Sequence, residues 1–172
     1  MQPNSIAKLF AGIGYKIIRK ARVLEVGCGQ GYLMTHLLNA RASHVIGIDL
    51  EQSILDGIPM TSYEVHTNKK RTSEFKVVDF GETDMTETVK KVDIMTMFIG
   101  IYDLVEKLLD LFMANENVKA IAFMIPSRRF NSLVPRIEGW CQTYGGNSCI
   151  INIALHASNE QRRAMILKRQ SQ

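Results

Sequence analysis

The chain has 172 residues, 46% hydrophobic and 22% charged, a balance that suits one folded domain (residues 1–172) built on one core. No apolar run approaches the roughly 20 residues of a membrane span, so membrane insertion is not expected, and the N-terminus lacks the uninterrupted apolar core of a signal peptide. A net charge of +4 permits a polyanionic partner without demanding one, while three cysteines, at 28, 141 and 149, form neither a zinc spacing nor an even disulfide set; no metal site is expected, and a reducing, cytoplasmic setting is.

Along the chain, Ile6, Leu9, Phe10, Ile13, Ile17 and Ile18 recur at helical spacing, which predicts a helix over 5–20 weakened by two internal glycines. RVLEV (22–26) reads as a short buried strand and YLMTHLLNA (32–40) as the helix after it. HVIGIDL (44–50) is a second strand and SILDGI (53–58) a short helix. Residues 59–74 are polar and without period, which predicts an exposed loop. FKVVDF (75–80) and VDIMTMF (92–98) are the third and fourth strands, and LVEKLLDLFMA (104–114) is an amphipathic helix. VKAIAFMI (118–125) is a fifth strand, stopped by Pro126, and residues 130–143 form a helix closed by Gly145 and Gly146. CIINIAL (149–155) and RAMILKR (163–169) are two successive strands. Strands alternate with helices until that last pair. The order implies an α/β fold with a mostly parallel sheet, helices on both faces and one antiparallel strand.

The stretch VLEVGCGQGYL (23–33) places Gly27, Gly29 and Gly31 between the first strand and its helix. Glycines there let backbone approach a ligand closely. Glu25 precedes them, Asp49 ends the second strand and Asp79 ends the expected third. An acid at the second position can accept hydrogen bonds from ribose hydroxyls, and one at the third can meet an adenine amino group. A dinucleotide fingerprint would want its third glycine one residue later, and a phosphate-binding loop would need Gly-Lys-Ser/Thr, which is absent.

EVGCGQG resembles the first motif of class I S-adenosylmethionine-dependent methyltransferases. The resemblance implies their Rossmann-like seven-stranded sheet, with S-adenosylmethionine as cofactor. It implies that Glu25, Gly27, Cys28, Gly29 and Gly31 line the methionine and sugar portion, that Asp49 takes the ribose hydroxyls and Asp79 the adenine. SIAKL (5–9), the glycine motif with its cysteine, the helix FNSLVPRIEGWCQTYGG (130–146) and SNEQ (158–161) are similar to the FtsJ-like branch, and to the flavivirus-type cap methyltransferases within it. That branch uses a Lys-Asp-Lys-Glu tetrad to deprotonate a ribose hydroxyl. Carried over, its outer members fall on Lys8 and Glu160, but its central members fall on Phe98 and Met124, and Lys119 and Arg128 do not sit at the matching places.

A ribose hydroxyl needs a base; the N7 of guanine does not, and gains most from alignment. Phe98, a further cofactor-binding candidate, and Tyr102, a catalytic one beside Lys8 and Glu160, lie just past the fourth strand where an aromatic ring can stack on a purine. The expected function is thus RNA cap methylation of viral type, at guanine N7 rather than ribose 2′-O. RNA with a capped 5′ end and other replication proteins are the expected partners, the first in keeping with clustered cations such as Lys16, Arg19, Lys20 and Arg22. A cofactor-binding but inactive module of a larger replication protein, and a small-molecule methyltransferase, are the alternatives.

Overall fold

The computed structural model describes residues 1–51, 71–99, 101–125, 130–154 and 161–170. The short helix expected at 53–58, most of the loop expected at 59–74, and the stretch containing Glu160 lie outside these residues.

The helix expected over 5–20 is two: α1, Pro3–Ile13, and α2, Tyr15–Ile18. Gly14 between them has φ 101°, which breaks the helix at a residue with no Cβ to oppose it. Ile6, Leu9, Phe10 and Ile13 of α1 are buried, as their spacing predicts.

The remaining elements are β1, Arg22–Val26; α3, Tyr32–Asn39; β2, His44–Asp49; β3, Thr72–Val77; α4, Thr86–Val89; β4, Ile94–Met97; α5, Tyr102–Ala114; β5, Ala120–Met124; α6, Phe130–Tyr144; β6, Asn147–Ala154; and β7, Gln161–Lys168. The strands form one seven-stranded sheet in the order β3-β2-β1-β4-β5-β7-β6. β7 runs antiparallel to both neighbours, and every other pair is parallel. The third strand corrects an expectation: it spans Thr72–Val77 rather than 75–80, so Asp79 lies beyond it. β3 is an edge strand, partly exposed on both sides, and carries no clear apolar alternation.

Side-chain alternation divides the core into two layers. On one face Leu24, Val26, Met95, Met97, Ile121 and Phe123 pack with Val105, Leu108 and Phe112 of α5 and with Leu133 and Trp140 of α6. On the other, Val23, Val45, Ile94, Ala120 and Ala122 pack with α1 and with Leu33, Met34 and Leu37 of α3. Each fully buried side chain of this size contributes roughly 1.5–3 kcal/mol. None of the described helices is long and apolar enough to cross a membrane.

Candidate functional site

The chain runs outward from β1 through β2 to β3, then returns to place β4 on the other side of β1. In such sheets a crevice opens beyond the carboxyl ends of the strands at this reversal. The glycine loop lies there, between β1 and α3.

Gly27, Gly29 and Gly31 have φ of 68°, 50° and 71°, all in the left-handed region. Their surroundings differ. A Cβ on Gly27 would lie 2.9 Å from Ile99 Cδ1, and one on Gly31 3.2 Å from the Phe75 ring. A Cβ on Gly29 would meet nothing within 4 Å. Packing therefore crowds the first and third glycines, whereas the second faces open space. The loop is tied to β2: the N–H groups of Gly27 and Cys28 donate to Ile48 O at 2.8 and 3.1 Å. The Gly29 N–H donates to Asp49 Oδ2 at 2.9 Å, and the Leu50 N–H to Asp49 Oδ1 at 2.8 Å. Asp49 thus orients the loop, and each of its oxygens keeps lone-pair capacity for another donor.

Glu25 is buried beneath the loop. Burial pushes its carboxyl up to about 8, with the Asp49 charge adding to the rise and a bond from the Met34 N–H at the start of α3 opposing it. Its Oε2 has no hydrogen-bond partner. Thr96 of β4 is its register neighbour across the sheet, and the Thr96 Oγ1 is likewise buried without a partner. Buried polar atoms are normally satisfied; two orphaned oxygens side by side fit a bound donor group such as a ligand ammonium. Cys28 is buried, its thiol pushed up to about 12 by burial and by the Glu25 and Asp49 charges. It is a neutral packing group and not a nucleophile.

Asp79 sits two residues past β3 in a turn, its Oδ1 accepting from the Gly81 N–H at 2.9 Å. Phe98 follows β4 and is half-buried against the cluster under α1 and α3. Part of its ring is therefore core. Tyr102 opens α5. Lys8 is exposed on α1, which packs on β5, β6 and β7. Met124 ends β5. The structure thus brings Glu25, the glycines, Cys28, Asp49, Asp79 and Phe98 to one edge, while α1, which carries Lys8, shares a core cluster with Cys28 and α3. Leu50, Val77 and Ile101, exposed by about half their surface, stand at the same strand ends and give the crevice an apolar rim.

Sequence reading overlooked two contributors. Gly47, in mid-strand, has a Cβ position that would overlap Met34 Sδ and lie 2.9 Å from Cys28 Sγ; a glycine inside HVIGID signals such an approach. Thr96 carried no local signal. No group of three or more His, Cys, Asp or Glu side chains among the described residues could hold a metal.

A scan against models of known families finds no match, and neither does a search of curated proteins. Solved structures do match. A dimethyladenosine transferase from Plasmodium falciparum superposes with a TM-score of 0.68 at 18% identity, over 98% of this chain, which spans 62% of that one. An rRNA methylase from Streptococcus thermophilus matches at 0.65 and 14% identity, over 99% of each chain. Magnesium protoporphyrin IX methyltransferase from Synechocystis PCC 6803, with bound S-adenosylmethionine, matches at 0.67 and 14% identity, over 97% of this chain and 79% of that one. The fold is the Rossmann-like fold of class I S-adenosylmethionine-dependent methyltransferases, with the sheet order and single antiparallel strand described above.

Proposed function

We propose that the protein is an S-adenosylmethionine-dependent RNA methyltransferase, and that within this class it acts on the guanine N7 of a cap or cap-like 5′ end, as its likeness to viral cap enzymes implies. The open space at Gly29 carries the reading: the loop turns there at φ 50°, and the side where a Cβ would stand is free of protein atoms, beside a carboxylate that already holds the loop in place. S-adenosylmethionine, when bound, supplies a methyl group on a positively charged sulfonium. Glu25 and Thr96 would take its ammonium group, the Gly29 backbone its close approach, Asp49 its ribose hydroxyls, and the apolar rim of Leu50, Val77 and Ile101 its flat base. A structural neighbour named as an rRNA methylase supports an RNA acceptor.

The choice of N7 rests on what the acceptor requires. A ribose hydroxyl stays protonated near neutral pH, and a general base is worth about 10²–10⁴-fold. Phe98 and Met124 stand where the 2′-O tetrad would have Asp and Lys. A guanine N7 lone pair is already free, so holding it in line is enough. Transfer of labelled methyl groups to capped and uncapped RNA, followed by nuclease mapping, tests this. Label should appear on the guanine base, and Tyr102→Ala should reduce it more than Lys8→Ala. Robust label on a ribose 2′ oxygen, abolished by Lys8→Ala or Glu160→Ala, would show the tetrad to be intact and the N7 reading wrong. Tight cofactor binding with no transfer to any RNA would favour the inactive-module reading.

A further inference from the structure

The edge of the sheet opposite the crevice, where the parallel strands begin, carries a continuous row of cations. Lys20 precedes β1 and its N–H donates to Arg41 O, just before β2, at 2.7 Å. Arg22 opens β1, and its Nε donates to Lys91 O at 2.8 Å. Lys119 precedes β5 and pairs with Asp93 at 2.8 Å, while the Arg169 N–H, after β7, donates to Lys119 O at 2.9 Å. These backbone links place the cations side by side from β2 to β7. That run is four inter-strand steps, roughly 19 Å. The acids tied into it are fewer. Asp93 is already engaged by the Arg22 N–H and by Lys119, Glu116 faces Arg169, and Glu74 further out is paired with Lys76.

Two of the cations occupy places that do not suit them. Lys20 and Arg41 have φ of 67° and 73°, and they are the only non-glycine residues among the described ones in the left-handed region. Each comes just after a helix, α2 and α3 respectively, where glycine is the unstrained residue. The helix dipole favours a cation there, but it does not require the left-handed residue itself to be the cation. Both side chains are exposed, and no carboxylate pairs with either among the described residues.

We propose that this basic edge is a second RNA-binding surface, which holds the phosphodiester backbone of a single strand whose 5′ end lies in the crevice. The proposal rests on the RNA methyltransferase reading for the other end of the strand. RNA is favoured over an acidic protein because the large exposed aliphatic side chains among the described residues lie elsewhere, Leu50, Val77 and Ile101 at the crevice edge and Ile150 within β6, which leaves this edge without the aliphatic centre of a protein interface. At its far end the ring of Tyr144, 57% exposed, lies 6.2 Å from Trp140, over which Arg169 stacks. An exposed aromatic beside a cation track is how bases of single strands are held. β1 is five residues long, so roughly 17 Å separate the two edges, the least distance a strand held at both must cover.

The test uses Lys20→Gly/Arg41→Gly in the full chain. Glycine suits both backbone positions, so the variant should melt at the wild-type temperature or above. Fluorescence anisotropy with a labelled 20-nucleotide RNA, across a salt series, should show at least a several-fold loss of affinity. The slope of log K against log salt should shrink by about 1.4, from ~0.7 per lost phosphate contact on a single strand. S-adenosylmethionine binding, followed by calorimetry, should be unaltered. Unchanged affinity and slope for the long RNA overturn the proposal, and leave the methyltransferase reading standing if the cofactor binds. Loss of RNA affinity in a protein that binds no cofactor does the reverse. A polyglutamate peptide that displaces the RNA at equal charge concentration would overturn RNA as the occupant.

Discussion

Glu25 is the residue on which pH should act. The unfolded chain ionises this carboxyl near 4.5, and the folded chain near 8. Between those values the folded state keeps a proton that the unfolded state releases, so this group's contribution to stability falls as pH rises through the window. Glu25→Gln removes the titration. In thermal melts without ligand, the variant should gain on the wild type progressively from pH 4.5 to 8; a constant gap would mean that the carboxyl is not held neutral. A cation placed against Oε2 favours the charged form. S-adenosylmethionine binding at pH 7 should therefore release a proton, seen as a dependence of calorimetric heat on buffer ionisation enthalpy, and Glu25→Gln should abolish it. Asp49→Ala should weaken cofactor binding by roughly 1–3 kcal/mol, the scale of lost hydrogen bonds to a charged group. Glu25, Asp49 and the glycines were legible in the sequence because a short motif joins a strand to a helix. Thr96 was not, since its orphaned oxygen matters only once β4 lies beside β1.

At the level of elements, glycines with opposite surroundings make opposite predictions. Gly47 lies in β2 with Met34 and Cys28 against it, so Gly47→Ala should overpack the loop's support and cost about 1–3 kcal/mol. Gly139 is exposed in α6 with nothing within 4 Å of its Cβ position, so Gly139→Ala should stabilise by about 1 kcal/mol. Denaturant midpoints measure both; two changes of the same sign would contradict the packing described. Strands β1, β2, β4 and β5 were legible because they are buried apolar runs in the middle of the sheet. β3 was placed three residues late because an edge strand half open to water carries polar residues such as Thr72, Ser73 and Glu74. The break at Gly14 could be suspected but not located, since Gly12 is an equal candidate by sequence. Only packing separates them: Gly12 faces Ile166 of β7 and stays in α1, whereas Gly14 takes the positive φ.

Across the whole molecule the sheet separates two kinds of surface, an apolar-rimmed crevice with a bare glycine loop at one edge and a row of cations at the other. If alignment rather than base catalysis drives the reaction, kcat should change little between about pH 6.5 and 9, because no group has to be deprotonated in the bound complex. A steep rise with pH would point to a titrating base and to a ribose acceptor. All of this depends on the crevice holding S-adenosylmethionine against the Gly29 backbone. Calorimetric titration of the folded wild type and of Gly29→Val tests that claim most directly. The wild type should bind at micromolar strength, on the order of −7 to −8 kcal/mol. The valine, whose side chain meets no protein atom within 4 Å at its Cβ, should abolish binding while the backbone strain of a branched residue at φ 50° lowers stability only modestly. No binding by the folded wild type, or equal binding by the variant, would contradict it.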